Sequence, residues 1–246
     1  MPPVGLRGRS DKLFSMKALV AVVCLCSVAF AADSLGVFGQ KWTVESAADW
    51  AVDANLLQLK VAVEPPAGQP RRPTRIALLQ SKPYSKVTVE AEIKRNGRSL
   101  IIVYAWQDDA HYNYAHISVD TAVAQNVHNG MFHIFGGERV RMSSLEGPGS
   151  LPTQDWTPVK LVYDGATGLC YVEVNGKRNP SLEATDLSLR WGRVGLGSFD
   201  ETGDFRNVRI TGESREPGAI GRPAGRARDA FRMVLPTQDW VHQHPR

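Results

Sequence analysis

Residues 99–120 read SLIIVYAWQDDAHYNYAHISVD. The stretch opens on β-formers, Leu100 to Tyr104, breaks at Asp108-Asp109-Ala110, and resumes with Tyr112, Tyr114, His116 and Ile117. Two such runs about a short polar break predict an antiparallel hairpin. In the second arm Tyr112, Tyr114 and His116 recur at period two and therefore share one side of a sheet. Two registers are open. With Asp108 opposite His111, Tyr112 faces Gln107, and Tyr104 and Trp106 lie on the other side from the tyrosines. With a turn one residue longer, Tyr104, Trp106 and Asp108 join Tyr112, Tyr114 and His116 on one face.

The sequence around the hairpin has the same grammar. Val87 to Ile93 alternates cleanly, placing Val87, Val89, Ala91 and Ile93 on one face. Further strands are expected at 37–44, 56–63, 75–80, 86–94, 130–135, 159–164, 169–174, 187–189, 192–196 and 205–211. Asn175-Gly176 marks a tight turn. Between the leader and the tail no stretch sustains helical periodicity. Many short strands with Gly and Pro between them predict an all-β chain, an antiparallel β-sandwich or jelly roll. Pro65–Pro73 and Glu146–Pro152 are expected loops, the second able to overhang one face.

Residues 1–31 are expected to be a signal peptide. Lys12 and Lys17 precede an apolar run, Ala18 to Phe30, and Ala29-Phe30-Ala31 fits the small-x-small cleavage pattern. The run is shorter than a membrane span, so no transmembrane span is expected after cleavage. The product is then exported, to the periplasm or the extracellular space. Of three cysteines only Cys170 would remain, which excludes an internal disulfide and a thiolate metal cluster. Residues 32–212 suffice for one sheet-based domain.

The formal charge of +4 is carried by the ends. The leader has four basic residues against one acid and the tail, 213–246, six arginines against four acids, leaving the body at −1. A near-neutral body speaks against nucleic acid as a partner. The Arg/Pro/Gly-rich tail is expected to be disordered. Within it Leu235–Trp240 repeats Leu151–Trp156 letter for letter, too short for a domain repeat and best explained as a local duplication.

Two segments carry a family resemblance. Residues 156–164 (WTPVKLVYD) with 170–176 (CYVEVNG) look like paired strands of laminin-G-like and concanavalin A-like lectin/glucanase domains. Residues 191–200 (WGRVGLGSFD) followed by Phe205-Arg206-Asn207-Val208 are similar to the ending of the same superfamily. The bacterial secreted branch, which includes the 3-keto-disaccharide hydrolase family, shares that ending and a Tyr-rich hairpin. The resemblance spans about 38–212. It implies the sandwich fold, and it leaves lectin, hydrolase, lyase and adhesion roles open.

The hairpin is the expected binding surface. Aromatic rings stack on sugar faces while Asp, Asn, Gln and His bond the hydroxyls. Tyr104, Trp106, Gln107, Asp108 and Tyr112 are the candidate contacts, against the reading that they simply fill a sandwich. The resemblance adds Asn129 and then Arg139 or Arg141, with His128 beside Asn129. Carbohydrate is thus the expected partner of what is expected to be a monomer. The alternative is a glycoside or keto-sugar hydrolase or lyase with His116 or His128 as base and Tyr114 as acid. A structural or adhesion module is the second alternative.

Carboxylate-pair glycosidase chemistry needs acids facing one cleft. Only Glu90 and Glu92 have the spacing, and their side of the alternating strand reads as solvent-facing. No histidine spacing matches a zinc signature, so no metal or cofactor is expected. Asp200, Glu201 and Asp204 offer a loop in which calcium is conceivable, with solvated turn residues as the plainer reading.

Overall fold

In a computed structural model, residues 32–119, 129–145 and 147–216 are described. The expected signal peptide, His128, and the tail from 217 with its LPTQDW copy lie outside the described residues. The chain enters through a hairpin of β1 (Asp33–Val37) and β2 (Gln40–Val44). Its turn, Phe38-Gly39, takes φ of 56° and 69° at its two central residues, so one expected strand becomes two. β3 (Trp50–Asp53), β4 (Leu56–Leu59), β5 (Arg75–Leu79) and β6 (Tyr84–Arg95) follow. The opening hairpin of the sequence reading forms as β7 (Ser99–Asp108) and β8 (His111–Ser118). Then come β9 (Gly130–Phe135), β10 (Glu138–Arg141), β11 (Thr157–Asp164) and β12 (Leu169–Val174). β13 (Lys177–Thr185), β14 (Arg193–Ser198) and β15 (Gly203–Ser214) complete the set.

These strands make two antiparallel sheets. One runs β1-β2-β5-β14-β7-β8-β9-β10, the other β13-β12-β11-β6-β15-β4-β3. The fold is an all-β sandwich of the jelly-roll kind, as the strand pattern predicts. No helix among the described residues is long and apolar enough to cross a membrane.

Alternation builds the core. Val87, Val89, Ala91 and Ile93 point between the sheets, where Trp42, Leu57, Leu161, Val172 and Phe205 join them. Burying each large apolar side chain stabilises the fold by roughly 1.5–3 kcal/mol. Tyr163 donates from its hydroxyl to the Leu189 carbonyl at 2.6 Å, so a polar tip is buried with its partner. Cys170 is buried and free, and burial pushes its thiol up in pKa, away from thiolate chemistry.

Some elements escaped the periodicity. β13 contains Pro180 and an arginine–lysine start, and it is an edge strand, where proline and charge are tolerated. β3 and β10 are edge strands of four residues each. Residues 187–189 form no strand. β15 continues to Ser214, two residues past the expected end of the domain, pairing Glu213 with Lys86.

The register at the hairpin is neither expected alternative. Asp108 does pair with His111 across a short turn, but three residues of β7, Ala105, Trp106 and Gln107, oppose Tyr112 alone between that pair and Tyr104↔Asn113. Ala105 sits in the left-handed region at φ 51° and packs in the inter-sheet core beside Tyr104. This bulge turns Trp106 over to the outer face, with the tyrosines. Gly192 makes it possible: a Cβ there would stand 2.1 Å from the Ala105 carbonyl carbon.

Candidate functional site

The outer face of the β7-β8-β9 sheet is apolar and filled. Ile101, Val103, Tyr112, Tyr114, Phe132, Ile134 and Phe199 form a second buried cluster there, with Trp106 packed against it. Tyr112 and Tyr114, centroids 6.2 Å apart, run on into His116 at 6.1 Å, the row that period two predicts. These rings do not form an open stacking floor, because Tyr112 and Tyr114 are 2% and 0% exposed. Arginines close over them. Arg139 lies 4.0 Å above Phe132 and 4.8 Å from Phe199, and Arg71 5.4 Å above Phe199. From the Pro65–Pro73 loop Arg72 reaches across to donate to the Asp109 carbonyl.

At one end of this face a recess of about 70 Å³ opens. His116, Ser99 and Phe199 line it from the sheet, and Arg71, Arg98 and Arg139 from around the rim, together with Asp200 and Glu201. The His116 ring stacks on Phe199 at 5.5 Å. Its Nε2 is 2.8 Å from the Ser99 hydroxyl, which in turn is 3.2 Å from Glu201 Oε2. Glu201 also accepts from the backbone N–H groups of Arg98 and Ser99, both at 2.5 Å, so its charge is held by a small nest of donors. Arg98 pairs with Glu201 at 3.2 Å, and Arg71 with Asp200 at 2.8 Å.

Tyr114 accepts from Arg139 Nε at 2.7 Å. Burial pushes the Tyr114 phenol up to about 12, although Arg139 pulls it down. It stays neutral in neutral solution and is a poor acid there.

Of the candidates named from sequence, His116 and Arg139 come together at the recess, with the buried Tyr114 bonded to Arg139. Trp106 stands elsewhere on the same face, under Arg193 at 4.2 Å. Tyr112 lies between, buried. Tyr104 points inward against Tyr163 at 5.0 Å, which removes it from any surface groove. Gln107 is spent on the Trp191 carbonyl, and Asp108 on the Ala110 N–H and His111 Nδ1 at the hairpin tip. Asn129 is 1% exposed. It accepts from Ser118 N and Ser150 Oγ and donates to Pro148 O and Ser181 Oγ, so it ties the end of β8 to neighbouring loops. His128 lies outside the described residues. Arg71, Arg98, Ser99 and Phe199 are not among the candidates, and Asp200 and Glu201 are among them only as conceivable calcium ligands. The Arg-rich loop signal at Pro65–Pro73 was the available hint for Arg71.

The calcium loop does not fit the ion. Asp200 and Glu201 face arginines and N–H donors, and Asp204 is buried, accepting from Gln58 at 3.2 Å. Among the described residues no three His, Cys, Asp or Glu side chains gather as a metal site. Glu90 and Glu92 lie on the outer face of the other sheet, bound by Arg209 at 2.7 Å and Arg206 at 2.8 Å, as alternation predicts. Asp186, Ser188 and His133 meet on the other side of β9, but both Ser188 Oγ (3.3 Å) and Asp186 (3.6 Å) approach the same ring nitrogen, Nδ1. A catalytic triad needs acid and nucleophile on opposite nitrogens, so this is a structural cluster.

No family model and no curated protein sequence matches the chain. Solved structures do. The carbohydrate-binding module CBM66 from Bacillus subtilis aligns with a TM-score of 0.52 at 16% identity, over 74% of this chain and 98% of that one. A Bacillus subtilis protein of unknown function with a galectin-like fold aligns at TM-score 0.44 and 12% identity, over 68% and 88%. Lotus tetragonolobus seed lectin aligns at 0.42 and 12%, over 69% and 92%. At 16% identity the likeness to CBM66 is one of fold, a two-sheet jelly roll.

Proposed function

We propose that this chain binds carbohydrate, and that the site is the recess between Arg71, Arg98, Arg139, Ser99 and His116. The observation that carries the reading is the convergence there of guanidinium, hydroxyl and imidazole groups around the aromatic wall of Phe199. Such a mix of oriented polar groups and ring surface is what sugar recognition requires. At about 70 Å³ the recess is less than half the roughly 150 Å³ cavity that holds a benzene. It receives one protruding group or chain end of a glycan, while the rest of the sugar lies on the arginine-covered face. This replaces the aromatic and histidine-lined hairpin face expected from sequence as the binding surface.

The test is a glycan array probed with the full chain, followed by calorimetry on the hits. Arg71→Ala, at an exposed rim position, should lower affinity at least tenfold without loss of folding. An array without hits, or affinity indifferent to Arg71, overturns the reading.

A second reading, a hydrolase or lyase, draws on the His116–Ser99–Glu201 chain, which can pass a proton from imidazole to carboxylate through a hydroxyl. Turnover of an array hit that His116→Ala abolishes would establish it. Binding without turnover leaves the site a receptor.

A further inference from the structure

The outer faces of the two sheets treat their cations differently. On the β12-β11-β6-β15 face three cations are held in ion pairs: Arg206–Glu92 at 2.6 Å, Arg209–Glu90 at 2.5 Å, and Lys160–Glu173 at 2.7 Å. Arg178 at the edge pairs with Glu183 at 2.9 Å. On the opposite face Arg72, Arg139 and Arg193 have no carboxylate within ion-pair distance among the described residues. Arg72 is spent on a carbonyl and Arg193 lies over Trp106. Arg139 is the one of these that lines the recess.

Arg139 is conspicuously short of partners. Among the described residues it makes one hydrogen bond, from Nε to the neutral phenol of Tyr114. Its Nη2 is shut away from solvent with no acceptor among the described residues. Phe132 and Phe199 attract the guanidinium through their ring faces, but a ring face takes none of the in-plane N–H donors. The two acids at the recess cannot serve it, since Arg71 holds Asp200, and Arg98 with two backbone N–H groups holds Glu201. The lining thus counts three arginines against two carboxylates. Tyr114, kept protonated by burial, adds no negative charge.

We infer that the glycan recognised at this recess is acidic, and that Arg139 receives the carboxylate of a uronic acid residue on its guanidinium edge. The inference rests on the carbohydrate reading above. A planar carboxylate matches the arginine fork, and a carboxyl group is of the size the recess admits. The ligand supplies the counter-ion that the fold withholds from this face. The Tyr114 hydroxyl holds Nε, which leaves the Nη donors for the ligand. Nucleic acid is the less suitable anion, because Asp200 and Glu201 already neutralise the other two recess arginines and the body as a whole is near neutral.

The experiment titrates the full chain with glucuronate, galacturonate and mannuronate oligosaccharides, each beside its carboxyl-reduced neutral counterpart, at low and high salt. At least one acidic form should bind tenfold or more tightly than its reduced partner, with the advantage shrinking in salt. Arg139→Gln should erase the advantage, lowering the affinity of the acidic form at least tenfold more than that of the reduced form. Arg139→Lys, which keeps the charge and loses the fork, should recover only a minor part. Thermal unfolding of both variants confirms that they fold. Equal affinity for acidic and reduced forms overturns the inference and leaves carbohydrate binding standing. Tighter binding of a sulfated glycan or of an oligonucleotide overturns it in favour of a general anion face. Absence of any acidic hit overturns it too, and if the neutral array is also blank, the carbohydrate reading falls with it.

Discussion

Arg139 donates from Nε to the hydroxyl of Tyr114 across 2.7 Å, joining the edge strand β10 to the centre of β8 over the ring of Phe132. One phenol from the hairpin thereby fixes the direction of the guanidinium that lines the recess without a carboxylate partner among the described residues. Tyr114→Phe keeps the buried ring and removes the acceptor. Bonds to charged donors are worth about 1.5–3 kcal/mol, so stability should fall by roughly that amount in urea unfolding. A loss no larger than that of an exposed substitution would mean that Arg139 finds another acceptor.

Glu201 organises the recess from below. Its carboxylate takes the N–H groups of Arg98 and Ser99, the Ser99 hydroxyl and the Arg98 side chain. Glu201→Ala leaves those donors unmet and should destabilise by about 2–4 kcal/mol, whereas Glu201→Gln, retaining one acceptor oxygen, should cost about half as much. Differential scanning calorimetry separates the two. Similar melting points for Ala and wild type would show that water replaces the carboxylate fully.

The bulge at Ala105 depends on Gly192. A methyl there would meet backbone atoms of Ala105 at 2.1 Å and Trp106 at 2.4 Å, and neither is the end of a flexible side chain. Gly192→Ala should cost about 3 kcal/mol or more and alter Trp106 fluorescence, since the bulge is what delivers that ring to the outer face. An unchanged emission spectrum with native stability would contradict the close approach.

Asp186 makes the fold sensitive to strong acid. Burial raises its carboxyl, but hydrogen bonds from His133, Ser188 and Asn113 outweigh this and hold it at about 2, below the ordinary 3.8. Because the folded value is depressed, its contribution is complete above about pH 4 and is lost as pH falls towards 2. That contribution is on the order of 2 kcal/mol. Asp186→Asn should therefore be clearly less stable than wild type at pH 7, with the gap closing between about pH 4 and pH 2. A gap independent of pH across that window would assign the effect to packing alone.

The Glu90 and Glu92 pair should be inert. Glu92 is held below the usual carboxylate range by Asn207 and then Arg206, on an outer, solvent-facing sheet surface. Exposed ion pairs contribute little, so Glu92→Gln should change stability by no more than about 1 kcal/mol and leave glycan binding unaltered. Loss of binding in that variant would move the site to the other sheet.

Much of the architecture follows from the order of residues alone. Alternation at Val87–Ile93 set which side of β6 meets the core, and the Asn175-Gly176 turn has φ of 52° and 74°, the conformation that pair of residues favours. Period two likewise placed Tyr112, Tyr114 and His116 in one row. These are local rules, satisfied by neighbours in sequence. Edge strands such as β13 were illegible because an edge demands little apolar pattern. The bulge was illegible for a different reason: it requires β14, almost ninety residues later, to bring a glycine against Ala105. The recess is also a product of distance. Arg71, Ser99, His116, Arg139 and Glu201 come from five separate parts of the chain. Which carboxylate neutralises which arginine depends on how the strands stack, so the sequence by itself could point to a polar, aromatic hairpin face. Only the folded sandwich decided that the rings are covered and that Arg139, among the described residues, is the recess arginine with no carboxylate within ion-pair distance.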